Sequence, residues 1–312
     1  MSTSPSRRTA LLVGVSVALL TGCGSSSDSG SDGGVSGAPA AASKVAVVAS
    51  TDVYGDIVAH IGGDKVSVTS VISDPDQDPH SYEAGTRNQL ALSKAKVVVE
   101  NGGGYDDFVD RMLRSGGNSS AEVINAVKVS GRTAPKGGEL NEHVWYDFPT
   151  VARIADRIAA ALGTADPANA ATFTKNADAF KAGLKPLEAK EAQIKKEYGG
   201  AAIAITEPVP LYMTGASGLV DKTPAEFSEA VEEGDDVSPK VLRETLALFT
   251  GKQVKALVYN AQTSGPQTER SEQAARAAGI PLVPVTETLP SGKDYLAWMT
   301  GNVDALANAL AK

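Results

Sequence analysis

The sequence predicts an α/β protein with two parallel-sheet (β/α)4 lobes joined by one long helix. Three observations favour this fold class. Short apolar segments without alternation recur along the chain, separated by segments of helical periodicity, which is typical of parallel sheets covered on both faces. One helical segment extends over roughly 30 residues, which is longer than a single lobe requires. About 270 residues follow a low-complexity N-terminal segment, and that length suffices for two hydrophobic cores.

The N-terminal lobe is predicted to comprise residues 44–163. Most of its strands are continuous apolar runs, as expected for strands buried on both faces. Residues 128–142 are polar and glycine-rich, which predicts a loop. The strands are expected at residues 44–50, 66–72, 96–100 and 122–125, and the helices at residues 53–61, 86–95, 105–113 and 150–162.

Residues 164–199 are predicted to form the linking helix. Asp166 can cap this helix, and Pro167 is well suited to its first turn. Its large apolar residues follow one another at spacings of 7, 4, 3, 7 and 4, which places them in one stripe. Gly183 and Pro186 are expected to kink the helix, because an interior proline removes a hydrogen bond and clashes with the preceding turn.

The C-terminal lobe is predicted to comprise residues 200–312 and to repeat the alternation of strands and helices. Its strands are expected at residues 201–206, 226–232, 254–260 and 281–286, and its helices at residues 209–218, 238–249, 266–278 and 294–310.

Residues 1–22 are predicted to be a lipoprotein signal peptide. Arg7 and Arg8 precede an apolar run at residues 9–20, which is shorter than the roughly 20 apolar residues that a membrane span needs. The run ends in Leu-Thr-Gly-Cys, which resembles a bacterial lipobox, so Cys23 is predicted to carry the lipid. Residues 23–43 have the composition of a flexible tether. The alternative is an ordinary signal peptide followed by an unrelated cysteine.

The composition restricts the possible partners. The formal net charge is −8, and loss of the two arginines with the signal peptide leaves −10. An acidic balance argues against nucleic acid and anionic membranes as partners. Cys23 is the only cysteine, so neither an internal disulfide nor a thiolate metal site is possible. With only two tryptophans, eight tyrosines and six phenylalanines, a broad aromatic cleft for haem or a siderophore is disfavoured.

Two of the three histidines lie in loop-like segments flanked by carboxylates. His80 lies in Asp-Pro-His-Ser-Tyr-Glu, and His143 lies in Glu-His-Val-Trp-Tyr-Asp. Neutral imidazole is the commonest protein ligand of divalent transition metals. Glu207 and Glu287 directly follow predicted strands of the second lobe, and ligands of open parallel sheets bind beyond the carboxyl ends of strands. These four side chains are therefore predicted to form a metal site in the cleft between the lobes.

The sequence resembles the cluster A-I solute-binding lipoproteins, which serve manganese and zinc ABC transporters and in streptococci have often been called adhesins. The resemblance extends over residues 44–312 and rests on both histidine motifs and on Val-Glu-Asn-Gly at residues 99–102. It implies two parallel α/β lobes bridged by one rigid helix. It also implies that His80, His143, Glu207 and Glu287 are the metal ligands, in that order along the chain.

The sequence departs from the family pattern at three places. Glu287 stands where the family usually has the shorter aspartate, and Asn-Glu precedes His143 where Asp-Pro is common. The histidine-rich acidic loop of many zinc-specific members is missing. Alternatively, Glu207 could stabilise a helix N-terminus, and Glu287 could be a solvated loop residue with Asp294 as its substitute.

Three further residues or segments have predicted roles. Asp147 is expected to orient His143 by accepting its second ring N–H. His60 is expected at the surface or the edge of the core. The charge run at residues 232–236 is expected to be a solvated loop.

The resemblance implies an extracytoplasmic binding protein that captures Mn²⁺ or Zn²⁺ as cargo and delivers it to an ABC transporter permease. We expect a monomer that touches the outer face of the cytoplasmic membrane only through its lipid anchor. An enzyme is not expected, because four protein ligands leave no open metal position. Glu207 and the missing histidine-rich loop slightly favour manganese. The alternative function is that of a surface adhesin with an incidental metal site.

Overall fold

Strands and helices alternate along the chain in a computed structural model, which describes residues 43–74, 82, 85–136 and 138–312. In the N-terminal lobe, four strands form a parallel sheet in the order β2-β1-β3-β4. The elements are β1 (Val45–Thr51), α1 (Asp52–Gly62), β2 (Val66–Ile72), α2 (Thr86–Lys94), β3 (Val97–Glu100), α3 (Asp107–Gly116), β4 (Glu122–Asn125), α4 (Ala126–Ser130) and α5 (Phe148–Ala165).

The linking helix α6 (Ala170–Tyr198) joins this lobe to a second parallel sheet, in the order β6-β5-β7-β8. The remaining elements are β5 (Ala202–Ile205), α7 (Leu211–Ala216), β6 (Val220–Asp221), α8 (Ala225–Glu232), α9 (Pro239–Thr250), β7 (Leu257–Asn260), α10 (Pro266–Ala278), β8 (Leu282–Val285) and α11 (Tyr295–Leu310). The prediction of two parallel-sheet α/β lobes and a long helix is therefore confirmed.

Strands β1 and β3 lack alternation because both of their faces are buried. In β3, Val97 and Val99 belong to one buried cluster, whereas Val98 belongs to another. Successive side chains of a strand point to opposite faces, so helices cover both sides of the sheet. The larger cluster is continuous from the first sheet through α6 and α11 to the second sheet.

The linking helix continues through both residues at which a kink was expected, and Pro186 lies inside it. Its buried face includes Phe173, Phe180 and Ile194, as the apolar stripe predicts. This helix packs against α1 and α5 of the first lobe and against α7 and α11 of the second. Because its buried side chains pack against both lobes, this helix fixes the position of one lobe relative to the other.

The predicted strand at residues 226–232 is wrong: this segment is helix α8. Phe227 and Val231 are buried, whereas Glu226 and Glu229 are exposed, so the true period is helical. The two-residue strand β6 takes the edge position of the sheet instead. The predicted loop at residues 128–142 is also slightly too long, since α4 includes its first residues.

Hydrogen bonds of Tyr295, in the last helix, and of Tyr146 also connect the lobes. The backbone N–H of Tyr295 donates to Oδ2 of Asp56 at 2.8 Å, and its hydroxyl donates to the carbonyl oxygen of Trp145 at 2.6 Å. The hydroxyl of Tyr146 donates to the carbonyl oxygen of Thr286 at 2.7 Å. A search of the described helices finds no segment long and apolar enough to cross a membrane.

Candidate metal centre

The imidazole of His143 is completely buried, with 0% of its side chain exposed. It stands at the N-terminus of a 3-10 turn that leads into α5. The rings of Trp145 and Tyr105 lie beside it, with centroid separations of 5.0 and 6.0 Å. Aromatic walls exclude water and restrict the ring to one orientation. The site is therefore built around a preoriented imidazole.

Asn141 orients that imidazole. Its Oδ1 accepts from the backbone N–H of His143 at 3.0 Å and lies 2.8 Å from Nδ1 of the ring. Its Nδ2 donates to the carbonyl oxygen of Pro208 at 3.0 Å, which establishes which end of the amide faces the ring. Since an amide oxygen only accepts, Nδ1 carries the ring proton and Nε2 presents its lone pair to the cleft.

Asp147, the residue expected to orient His143, is paired elsewhere. Its carboxylate lies 2.8 Å from a guanidinium nitrogen of Arg132 and accepts from the hydroxyl of Thr150. The residue that orients His143 is Asn141, two residues before it in the chain. In the sequence, Asn141 is identified only as a departure from the family pattern. The expectation for Asp147 is corrected accordingly.

Glu207 and Glu287 come from the second lobe, each shortly after a strand. Glu207 follows β5 and is 3% exposed, and Glu287 follows β8 and is 4% exposed. Asn260, the last residue of β7, donates from Nδ2 to Oε2 of Glu207 at 2.7 Å and to Oε1 of Glu287 at 2.8 Å. The two carboxylates are therefore buried and held together by one amide.

The structure brings three of the four predicted ligands to one cleft. Oε2 of Glu287 lies 3.9 Å from Nε2 of His143, across the boundary between the lobes. Glu207 adjoins this pair through Asn260. The remaining predicted ligand, His80, lies outside the described residues. His60 has its imidazole 37% exposed and 3.3 Å from a carboxylate oxygen of Asp56, at the edge of the core as expected.

Two further carboxylates approach the site, and the sequence interpretation missed both. Oε1 of Glu232 lies 3.4 Å from Nε2 of His143, and its side chain is only 11% exposed. Glu142, His143 and Glu232 each offer one ligand atom within 4.8 Å of the others. The expectation of a solvated loop at residues 232–236 is thus wrong for Glu232, which ends helix α8. The helical period of the buried residues in Ala225–Glu232 is the signal that places Glu232 at the end of a helix and not in a loop.

The electrostatics of this cluster favour a cation. Burial, reinforced by repulsion from neighbouring carboxylates such as Glu142, raises the pKa of Glu232 to about 9. Burial also raises the pKa of Glu142 to about 7. Removing several carboxylates from water is costly unless a positive charge compensates them. An imidazole nitrogen with carboxylate oxygens is also a donor set that divalent transition metals accept.

A cavity of about 1090 Å³ adjoins the cluster at the junction of the lobes. Arg132 lies at its wall and stacks on the ring of Tyr212, with 4.2 Å between the guanidinium carbon and the ring centroid. The carboxylates of the wall belong to Glu139, Glu142, Asp221, Glu229, Glu232 and Glu233. This predominantly acidic lining attracts cations and connects them with the buried imidazole.

The chain is similar to several proteins whose names refer to metal transport. A family model for the periplasmic zinc-uptake complex component A matches residues 47–309. The metal ABC transporter substrate-binding lipoprotein SloC of Streptococcus mutans is 24% identical over 286 residues, which cover 86% of this chain and 91% of SloC. The iron ABC transporter substrate-binding lipoprotein MtsA of Streptococcus pyogenes is 24% identical over 328 residues, covering 98% of this chain and 99% of MtsA.

A solved structure has the same fold. The structure of the substrate-binding protein FpvC of Pseudomonas aeruginosa in complex with Ni²⁺ superposes with a TM-score of 0.71 at 25% identity. The match covers 86% of this chain and 97% of FpvC.

Proposed function

Because the chain belongs to the family of the periplasmic zinc-uptake complex component A, we propose that it captures one divalent transition-metal ion outside the cytoplasm and delivers it to an ABC importer. The resemblance to the cluster A-I metal-binding lipoproteins is confirmed by this family match and by the similar streptococcal lipoproteins. The family consists of binding components of uptake systems, so the chain is not an enzyme.

One observation supports the proposal: side chains of predicted ligands from both lobes lie close together in one buried region. His143 of the first lobe and Glu287 of the second approach within 3.9 Å, and Asn260 holds Glu207 beside Glu287. The adhesin alternative offers no reason to bury these carboxylates around an imidazole. A metal ion compensates their charge, which supports capture as the function.

Capture follows from the chemistry of these side chains. The ion enters through the acidic cavity and exchanges its water for carboxylate oxygens and for Nε2 of His143. The ligands of the two lobes then hold the cleft closed, and the permease distinguishes this closed form from the empty one. Because α6 and the larger apolar cluster connect both lobes, we expect a small closure rather than a wide hinge motion.

We propose His80, His143, Glu207 and Glu287 as the ligand set, with His80 assigned from its motif alone. Two imidazoles and two carboxylates suit tetrahedral Zn²⁺ when each carboxylate binds through one oxygen. Additional carboxylate oxygens raise the coordination number and favour Mn²⁺. The abundance of carboxylates at this site supports Mn²⁺ as the cargo.

We also propose that the mature protein is a monomeric lipoprotein on the outer face of the cytoplasmic membrane. The lipobox-like sequence before Cys23 supports cleavage after residue 22 and lipidation of the cysteine. Residues 23–42 of the proposed tether, like the signal peptide, lie outside the described residues. Incorporation of labelled fatty acid into the wild type but not into Cys23→Ser tests the anchor.

The capture function is tested by competitive calorimetry on the segment Ser43–Lys312, which forms one compact unit with both cores. After treatment with a chelator, the protein is titrated with Mn²⁺ and with Zn²⁺. We expect tight one-to-one binding, lowered by orders of magnitude in His143→Ala and unchanged in His60→Ala. Affinity should also fall below about pH 6.5, because imidazole binds metal only when neutral. Absence of binding for both metals would refute the proposal.

A further inference from the structure

Glu232 approaches the imidazole of His143 more closely than one of the predicted ligands does. Its Oε1 lies 3.4 Å from Nε2 of His143, whereas Oε2 of Glu287 lies at 3.9 Å. Glu232 belongs to the second lobe and His143 to the first, so this contact also spans the cleft. The family pattern that implies the other ligands does not include this residue.

The separation of these two atoms fits a shared metal ion. Nitrogen and oxygen ligands lie about 2.1 Å from a metal such as Zn²⁺, so two ligands at a tetrahedral angle are roughly 3.4 Å apart. An octahedral right angle brings them to about 3.0 Å. The observed 3.4 Å between Nε2 and Oε1 therefore requires little adjustment for both atoms to bind one ion.

The location of Glu232 in its helix also favours a cation. It is the last residue of α8, where the helix dipole carries partial negative charge and does not stabilise a carboxylate. Burial of Phe227 and Val231 on the same helix holds this helix end against the protein. Packing of α8 thus brings Glu232 to the site at a helix end that does not attract its carboxylate.

Glu232 lies where the cavity meets the buried imidazole. It lines the acidic cavity together with Glu142 and Glu233, yet its own carboxylate touches His143. An ion that passes from the cavity to His143 therefore meets Glu232 on its way. The exposed neighbour Glu233 lines the same cavity without such a contact among the described ion pairs.

We propose that Glu232 is a further ligand of the cargo metal and that it directs selection towards Mn²⁺ over Zn²⁺. The inference rests on the proposed capture function. A third carboxylate raises the number of oxygen donors and takes the coordination number above four. Zn²⁺ is satisfied by four ligands, whereas Mn²⁺ accepts six and prefers oxygen. Glu232 should therefore matter more for Mn²⁺ than for Zn²⁺.

The test compares Glu232→Gln with Glu233→Gln on the segment Ser43–Lys312, because both variants replace one carboxyl group of the same cavity by an amide. Calorimetry with Mn²⁺ and with Zn²⁺ measures the affinities. We expect Glu232→Gln to weaken Mn²⁺ binding at least about tenfold and Zn²⁺ binding less, because even residues that only orient metal ligands typically contribute about 10-fold or more to affinity. Glu233→Gln should bind both metals like the wild type. X-ray absorption of the bound Mn²⁺ should show a changed oxygen shell only in the Glu232 variant.

Several results would overturn the proposal. Equal effects of the two substitutions would mean that only the charge of the cavity matters. Tighter binding in Glu232→Gln would show that Glu232 competes with the ion instead of binding it. Should the glutamine variant fail to fold, Glu232→Asp keeps the charge and shortens the reach, and wild-type affinity for Mn²⁺ in that variant would also exclude ligation. Failure of the wild type to bind either metal refutes the capture function itself, which separates the two questions.

Discussion

Glu207 and Glu287 share one hydrogen-bond donor, Nδ2 of Asn260, at 2.7 and 2.8 Å. The order of the sheet explains why. Strand β7 lies between β5 and β8, so the residue that ends β7 stands between the residues that follow its two neighbours. Oδ1 of Asn260 accepts from the backbone N–H of Gln262 at 3.0 Å, which turns Nδ2 towards the carboxylates.

Asn260→Ala should lower the affinity for the cargo metal about 10- to 100-fold, the usual cost of losing a residue that orients metal ligands. Without Nδ2, the two carboxylates repel each other and lose their common orientation. Calorimetry of the chelator-treated protein measures the change. Asn118→Ala is a suitable control. The side chain of Asn118 also donates to two acceptors, the carbonyl oxygens of Leu92 and Ala95, but it lies in the other lobe. Similar losses in both variants would mean that Asn260 only supports folding.

Asn141→Ala should lower the metal affinity to a similar degree, about 10- to 100-fold, because His143 loses the acceptor at its Nδ1. Asn141→Asp keeps that acceptor but loses the donation to Pro208. If orientation of the imidazole is the role of Asn141, the aspartate variant binds metal as well as the wild type or better. If the aspartate variant is as weak as the alanine variant, Asn141 acts by connecting the lobes.

Glu191→Met should raise the free energy of unfolding at pH 8 by about 1–3 kcal/mol, since it removes a buried carboxyl group whose Oε1 has no hydrogen-bond partner among the described residues. Glu191 is 5% exposed on the linking helix, and burial raises its pKa to about 8. A pKa above the unfolded value means that the folded protein binds more protons. Glu191 therefore makes the wild type lose stability as the pH rises from about 4.5 to about 8.

Urea unfolding of Glu191→Met and the wild type at pH 5 and pH 8 checks this prediction. The difference between the two proteins should be larger at pH 8. Glu197→Met is the control, because Glu197 is an exposed residue of the same helix. A pH-independent difference between Glu191→Met and the wild type would contradict ionisation of Glu191 as the cause.

His60→Gln should remove a second, smaller pH dependence of stability. The hydrogen bond with Asp56 raises the pKa of His60 to about 9, above its usual 6.5. The contribution of this pair is complete below pH 6.5 and is lost as the pH rises through about 9. Because the imidazole is 37% exposed, its worth is about 1 kcal/mol or less. Unfolding titrations from pH 6 to pH 10 should show a flatter profile for the variant, and an unchanged profile would reject the ion pair.

The His60→Gln variant also tests the assignment of the metal site. Metal affinity should be the same in this variant and in the wild type at every pH, because His60 lies on α1 and outside the cluster around His143. A parallel loss of metal affinity would indicate that the assignment of the site is incomplete.

Local patterns in the sequence determined much of the fold. The continuous apolar runs of the first lobe predicted β1 and β3, because a strand buried on both faces needs apolar residues at every position. The predicted strand ends also located Glu207 and Glu287, because ligands of open parallel sheets bind beyond the carboxyl ends of the strands. These inferences succeeded because they depend on neighbours along the chain.

Only the tertiary structure decided which polar side chains meet. Glu232 looks like part of an ordinary charge run, yet packing of α8 brings it to an imidazole of the other lobe. The roles of Asn260 and Asn141 depend on which acceptors surround their amides, and those acceptors come from distant strands and loops. Burial and hydrogen-bond partners are properties of the folded chain, so periodicity shows which residues face a core but not which polar groups share a site.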